Sequence, residues 1–325
     1  MHAPALDSFV DAIQSRISEV VVGQEVVVER LLTALLTSGH ILLQGVPGIA
    51  KTLLADTLAK TLDLKFARVQ FTIDLLPSDI LGSEILDQRN SEFRTRCGPV
   101  FTNLLLADEI NRAAPKVQSA LLEAMQERRV TIGSETFDLP KPFVVIATQN
   151  PIEQSGTFEL PEAQLDRFML CHRLVYPTRE EEEEVLRRNL SLGLKKDGAG
   201  HAVARTEFDI LSHEPVAGAA ELLRVMEKVQ EVHVSETFQK HVIELIHRTR
   251  SHPSLELGCS PRGGIALTKG ARARAFLLGR DYAIPEDLFA LAEDVVLHRV
   301  RLRYEALAEG QTGAGVLEEI LARMG

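Results

Sequence analysis

Gly45-Val46-Pro47-Gly48-Ile49-Ala50-Lys51-Thr52 follows the apolar run Ile41-Leu42-Leu43 and leads into Leu53-Leu54-Ala55. A strand, a glycine-rich turn and a helix start in that order form a phosphate cradle, because successive backbone N–H groups and the positive helix end converge on one point. Lys51 is then placed to reach terminal phosphates, and Thr52 to hold Mg²⁺ through its hydroxyl. The usual pattern has glycine immediately before the lysine, where this chain has Ala50. That position opens the helix with ordinary right-handed dihedrals, so a methyl group is tolerated there.

Working outward, apolar residues recur at helical spacing upstream, at Phe9, Ile13 and Ile17 and then Val26, Val27, Leu31, Leu32 and Leu35. The joint between those helices, Val20-Val21-Val22-Gly23-Gln24, is either a plain helix-helix turn or a place where an adenine ring rests against Val21 and Val22. Downstream of a helix over Leu53–Leu62, strands are expected at Phe66–Phe71, Leu104–Ala107, Phe143–Thr148 and Met169–Val175. With Ile41–Leu43 they make five buried strands separated by helices, the layout of a parallel sheet covered on both faces.

Two hairpins interrupt this alternation. Glu84–Gln88 and Phe93–Cys97 flank Arg89-Asn90-Ser91, after a helical turn over Asp74–Leu81; Val130–Ile132 and Thr136–Leu139 flank Gly133-Ser134. Arg89, Arg94, Arg96, Arg128 and Arg129 fall on or beside them and read as solvated side chains rather than polyanion ligands. Past Tyr176-Pro177, Thr178 opens a capping box with Glu181. Leu192–Arg205 reads as a flexible loop, and the remainder as helices without strands, with starts at Ser235, Ser260 and Pro285. The expected division is 1–177 for an α/β nucleotide-binding core and 178–325 for a small all-α domain.

Composition narrows the function classes. The 325 residues are 45% apolar and 25% charged, an ordinary soluble balance, and no apolar run is long enough to span a bilayer. Without a basic leader and h-region at the start, the expected location is cytoplasmic. Cys97, Cys171 and Cys259 are odd in number and far apart, and the ten histidines are scattered, so neither a disulfide framework nor a zinc site is indicated. A net charge of −10 weighs against sequence-independent adhesion to nucleic acid.

Leu104-Leu105-Leu106-Ala107-Asp108-Glu109 is an apolar strand ending in two carboxylates. ATP hydrolysis needs one acid in the Mg²⁺ shell and one to orient or polarise water, so Asp108 is assigned to the metal and Glu109 to the water. Asn150, after the strand ending Ala147-Thr148-Gln149, has the donor and acceptor to position that water. Arg167 lies in Leu165-Asp166-Arg167-Phe168. Arg262 sits in the first turn behind Ser260 and Pro261, where the helix dipole disfavours a cation, so an anion such as a phosphate is expected beside it.

From Val20 to about Leu302 the chain resembles the MoxR family of AAA+ ATPases. The resemblance rests on the Gly45–Thr52 loop, Gln70–Asp79, Ala107–Ala113, Gln118–Met125, Ala147–Pro151 and Leu165–Phe168, and Ala50 matches that family's loop. It implies a five-stranded P-loop AAA+ core followed by an all-α lid, a helix-2 insert at Asp74–Cys97, a pre-sensor hairpin at Val130–Leu139, and a ring, expected to be a hexamer. Residue by residue, Lys51 and Thr52 become the Walker A pair, Asp108 and Glu109 the Walker B pair, Asn150 sensor 1, Arg167 the arginine finger and Arg262 sensor 2. The nucleotide-binding set comprises Val21, Val22, Gly45, Val46, Pro47, Gly48, Ile49, Ala50, Lys51, Thr52 and Leu53, with ATP and Mg²⁺ as ligands. Chaperone-like remodelling of a protein client is implied, often with a partner carrying a von Willebrand factor A domain. The competing functions are a nucleic-acid-dependent motor and a nucleotide-gated scaffold with little turnover.

Overall fold

The computed structural model describes residues 6–45, 51–88, 92–151, 156–196, 198, 201–206, 209 and 215–324, with only the backbone given for 6–8. Helices α1 (Leu6–Val20) and α2 (Glu25–Leu36) precede strand β1 (Ile41–Gln44), after which α3 (Lys51–Thr61) leads to β2 (Phe66–Gln70). Next come α4 (Pro77–Leu81), the hairpin β3 (Gly82–Asp87) and β4 (Glu92–Cys97), and β5 (Leu104–Asp108). Then follow α5 (Pro115–Glu127), the hairpin β6 (Arg129–Ile132) and β7 (Glu135–Asp138), β8 (Val144–Gln149), α6 (Glu162–Leu165) and β9 (Leu170–Arg173).

The five apolar strands pair in parallel in the order β2-β5-β8-β1-β9. Side chains alternate across this sheet. Ile41, Leu43, Leu104, Leu106, Val144, Ile146 and Leu170 face a core shared with α1, α2, α3 and the C-terminal helices, while Leu42, Leu105, Ala107, Val145 and Ala147 face a second core with α5. Burial on both faces is why these strands read as continuous apolar runs. Both inserted hairpins form beside the sheet, in the expected places. Helix α4 starts at Pro77 rather than Asp74, since proline fits the first helical position and the preceding Leu76 is extended.

The C-terminal part consists of α7 (Arg179–Ser191), β10 (Leu194–Lys196), β11 (Ala202–Ala204), α8 (Ala219–Glu231), α9 (Glu236–Ser251), β12 (Leu255–Leu257), α10 (Pro261–Leu277), α11 (Pro285–Val296), β13 (Arg301–Leu302), α12 (Tyr304–Ala308) and α13 (Gly313–Ala322). Thr178 forms its capping box with Glu181, Ser235 and Ser260 are side-chain N-caps, and Pro285 begins α11. Two expectations fail here. The loop over Leu192–Arg205 contains the antiparallel pair β10-β11, and the region taken as wholly helical contains the pair β12-β13. Each strand is two or three residues long, too short for an alternation of period two to be recognisable.

His40 locks the start of β1. Its Nδ1 accepts from the Val145 amide at 3.0 Å, so Nε2 carries the proton and donates to Met125 O at 3.1 Å. Burial, aided by the Arg128 guanidinium, holds its pKa down to about 3 from 6.5. Between those values the unfolded chain binds a proton that the folded chain refuses, so stability falls as pH drops, by about 1.4 kcal/mol per unit for each such proton. His40→Gln can keep both hydrogen bonds without titrating. We expect the thermal midpoint of this variant, scanned from pH 7 to 4, to fall less steeply than that of the wild type by about one proton's worth; identical slopes would refute the assignment.

Candidate functional site

The C-terminal ends of the parallel strands gather the polar residues. Gly45 leaves β1, its amide donating to Gln149 O at 3.1 Å. A side chain here would meet the Cβ of Leu174 at 2.8 Å, so the strand exits can lie this close only with glycine. Val46, Pro47, Gly48, Ile49 and Ala50 lie outside the described residues. Helix α3 opens on Lys51 and Thr52, with Leu53 half-buried against the core. Lys51 Nζ donates to Gly45 O at 2.8 Å, and burial lowers its pKa against the opposing pull of Asp108 and Glu109. The ammonium thus stands at the loop entrance, within the field of the two carboxylates.

Asp108 ends β5 in register with Gln70 of β2. One carboxylate oxygen accepts from Thr148 Oγ1 at 2.6 Å and the other from Arg68 Nη2 at 2.6 Å. The same Thr148 hydroxyl oxygen accepts from the Glu109 amide at 2.8 Å, so one side chain on β8 fixes both acidic residues. Glu109 lies in the left-handed region (φ 56°, ψ 52°), a conformation costing a non-glycine residue of order 1 kcal/mol or more and kept where the surroundings impose it. Its carboxylate is held by Gln70 Nε2 at 2.8 Å and Arg112 Nε at 2.9 Å. Asn150, 5% exposed, follows β8 at the same edge.

An ammonium, a hydroxyl and two carboxylates at a helix start suit Mg²⁺ and a polyphosphate together. Mg²⁺ takes oxygen ligands and is ordinarily held by one or two carboxylates plus substrate phosphates rather than by an all-protein cage. Among the described residues no group of three or more His, Cys, Asp or Glu side chains could hold a metal alone. Val21 and Val22 are less distinctive. Val21 is buried among α1 and α2, Val22 is half-buried, and a cavity of about 340 Å³ lined by Ile17, Val21, Gly23 and Val28 adjoins them.

Arg167 and Arg262 are not at this edge. Both line a cavity of about 260 Å³ with Ser38, Gly39 and His40, which precede β1, and with Arg128, Lys269 and Arg299. A four-residue strand at ~3.3 Å per residue puts the two edges roughly 13 Å apart. The anion expected beside Arg262 is supplied by the protein itself: Asp166 Oδ2 is 3.8 Å from Arg262 Nη1. Asp166 also accepts from Ser260 Oγ at 3.0 Å and from Arg299 Nε at 2.8 Å. Arg299, its side chain 2% exposed, donates further to the carbonyls of Phe168 and Met169, and His298 Nε2 donates to Phe168 O at 3.2 Å. The turn carrying Arg167 is therefore pinned to the lid helices. Arg167 Nε is buried without a partner among the described residues. Arg128 is not the solvated side chain expected; it donates to Phe143 O at 3.0 Å and to Ser38 O.

Sequence reasoning assigned nothing to Arg68, Gln70, Arg112, Thr148, Asp166 or Arg299. The polar ends of the Phe66–Phe71 and Phe143–Thr148 runs were the available signal for Gln70 and Thr148. Comparison with known proteins agrees with the architecture. The family described as ATPase family associated with various cellular activities (AAA) matches residues 40–170, and the AAA lid domain matches residues 247–320. Chaperone MoxR1 of Mycobacterium tuberculosis is 42% identical over 94% of this chain and 79% of its own length. YeaC of Bacillus subtilis, an uncharacterised protein, is 43% identical over 94% of this chain and 91% of its own. A crystal structure from Cytophaga hutchinsonii, named provisionally as an ATPase, superposes with a TM-score of 0.87 at 43% identity, covering 98% of this chain and 94% of that one.

Proposed function

Because this chain belongs to the MoxR family of AAA+ ATPases, we propose that it binds Mg²⁺-ATP at the strand-end edge and hydrolyses it to ADP and phosphate, using the turnover to remodel a client protein. The observation carrying this is that Lys51 opens α3 with its ammonium on Gly45 O at 2.8 Å while Asp108 and Glu109, both bonded to Thr148, stand at the end of β5 on the same strand-end edge. In the proposal 1–177 form the nucleotide-binding core and 178–325 the lid. The loop Gly45–Ala50 with Lys51, Thr52 and Leu53 holds the phosphates, and the turn at Val21 and Val22 holds the base. Asp108 and Thr52 hold Mg²⁺, which when bound neutralises charge on the phosphates. Glu109 accepts the proton of the attacking water and Asn150 orients it. Gln70 and Arg112 now engage the Glu109 carboxylate, so it must exchange those bonds for water to act.

Arg167 and Arg262 lie beyond reach of their own Lys51, so the site is taken to be completed between copies. A neighbour delivers both arginines, in a ring that the family reading makes a hexamer. A von Willebrand factor A domain partner and a cytoplasmic location belong to the same proposal; among the described residues no helix is long and apolar enough to cross a membrane. Nothing specific favours a nucleic-acid motor. Arg94 and Arg129 of the hairpins are engaged by Asp87 at 3.3 Å and Glu127 at 3.6 Å.

Phosphate release from ATP and Mg²⁺, measured over many turnovers, tests the reading. We expect sustained release that rises per chain with protein concentration, and loss of ATP binding in Lys51→Ala. A folded Lys51→Ala protein that binds ATP with wild-type affinity, or a wild type without turnover across the concentration range, would refute it.

A further inference from the structure

Helix α7 has its polarity reversed with respect to its own subunit. Its half-buried positions are Glu181, Glu184 and Arg188, spaced by three and four and therefore on one face. Glu181 lies against Gly23, and Arg188 Nη1 donates to the carbonyls of Ser18 and Glu19 at 2.8 and 3.0 Å. The opposite face carries Leu186 and Leu190, 63% and 84% exposed. No residue of this helix is buried. Surface helices ordinarily turn the apolar stripe inward and charges outward, so this face is built for something the single chain does not supply.

The helix stands beside the Lys51 edge. It begins shortly after Leu174, which packs on Gly45, and its first turn rests on Gly23. On the far edge, α10 exposes Arg262, Ile265 and Lys269 along one stripe, with Ile265 57% exposed. The two stripes are complementary: Glu182 precedes Leu186 on α7, beside Glu183, which Arg179 engages at 3.1 Å, and Lys269 follows Ile265 on α10. Any neighbour that brings Arg167 and Arg262 to this chain's phosphate site also brings Ile265 and Lys269 to its side.

We infer that the Leu186–Leu190 stripe of α7 is the docking surface for a second copy of this chain, which covers it with Ile265 while Lys269 meets Glu182. The inference rests on the shared-site reading above. In the assembly Arg262 exchanges its Asp166 contact for the neighbour's nucleotide, and the α7 contact sets how close it comes.

The test is sedimentation of the full chain with Mg²⁺ and a non-hydrolysable ATP analogue, beside the double variant Leu186→Gln/Leu190→Gln. Glutamine is a good helix former, so α7 is retained. The variant should need roughly tenfold or more protein for half-assembly, as expected when apolar anchors are lost from an interface, while binding of a fluorescent ATP analogue to the single chain stays unchanged. In a Cys97→Ser background, chains bearing Leu190→Cys and chains bearing Ile265→Cys should form a disulfide when mixed and oxidised. If the wild type assembles and the double variant assembles at the same concentration, another partner covers the face and the inference is overturned. A disulfide between two Leu190→Cys chains would equally overturn the Ile265 assignment. A wild type that stays monomeric at every concentration would instead remove the shared-site reading itself.

Discussion

Mixing Arg167→Ala chains with Lys51→Ala chains is expected to restore ATP hydrolysis that neither possesses alone. Lys51→Ala loses the ammonium at the start of α3 but keeps the cationic edge, where Asp166, Ser260 and Arg299 pin the Arg167 turn. Arg167→Ala keeps the phosphate site and loses the transferable cation. An arginine at the transition state of phosphoryl transfer contributes roughly 10³–10⁵ in rate, because it neutralises charge that develops only then. Each variant alone should therefore fall close to background. In an equimolar mixed assembly a working site needs an Arg167→Ala acceptor beside a Lys51→Ala donor, one half times one half, so roughly a quarter of wild-type turnover should return if interfaces are head to tail. The measurement is steady-state phosphate release, with mixing verified by differently labelled chains. Verified mixed assemblies without recovered activity, or a sedimentation-verified monomer working at full rate, would show that the arginine is not shared.

Replacing Glu109 by glutamine should separate binding from chemistry. Glutamine is nearly isosteric and can still bond to Gln70 and Arg112, and the Asp108 carboxylate with its Thr148 and Arg68 partners is untouched. What disappears is the oxygen basicity that takes a proton from water, a contribution of about 10²–10⁴ in rate. ATP affinity, by equilibrium binding of a fluorescent analogue, should change less than about threefold, while single-turnover hydrolysis falls by the catalytic factor. Near-normal turnover in Glu109→Gln would remove Glu109 from the role of base.

The five strands were legible because burial on both faces turns them into uninterrupted apolar runs, and the carboxylates because Asp108 and Glu109 end one of those runs. What escaped depends on register and packing between segments far apart in the chain. Gln70 lies opposite Asp108 only once β2 and β5 are aligned, and Thr148 reaches both acids only because β8 lies beside β5. The Asp166 contacts, to Ser260, Arg262 and Arg299, reach 94 to 133 positions along the chain, and no local pattern announces them. Arg262 illustrates the limit well. Capping chemistry located it in the first turn of a helix and correctly demanded a negative partner, yet that partner proved to be a carboxylate of the chain itself. The β10-β11 pair escaped because Leu194-Lys195-Lys196 and Ala202-Val203-Ala204 bury almost nothing, leaving no apolar alternation to read.

Placing the lysine at one end of the sheet and the arginines at the other has a consequence for symmetry. A twofold dimer could pair the unlike ends only if both lay in one self-complementary patch, whereas the ring proposed above joins them across separate faces. If the sites are shared as proposed, copies must therefore add in a single direction, each offering its arginines forward and its phosphate loop behind. An open row of such copies always leaves one phosphate loop without a donor and one pair of arginines without a recipient. Only closure removes both loose ends, so the step that closes the circle is the one at which the last idle site begins to turn over, and a single chain lacking its arginines silences its neighbour rather than itself.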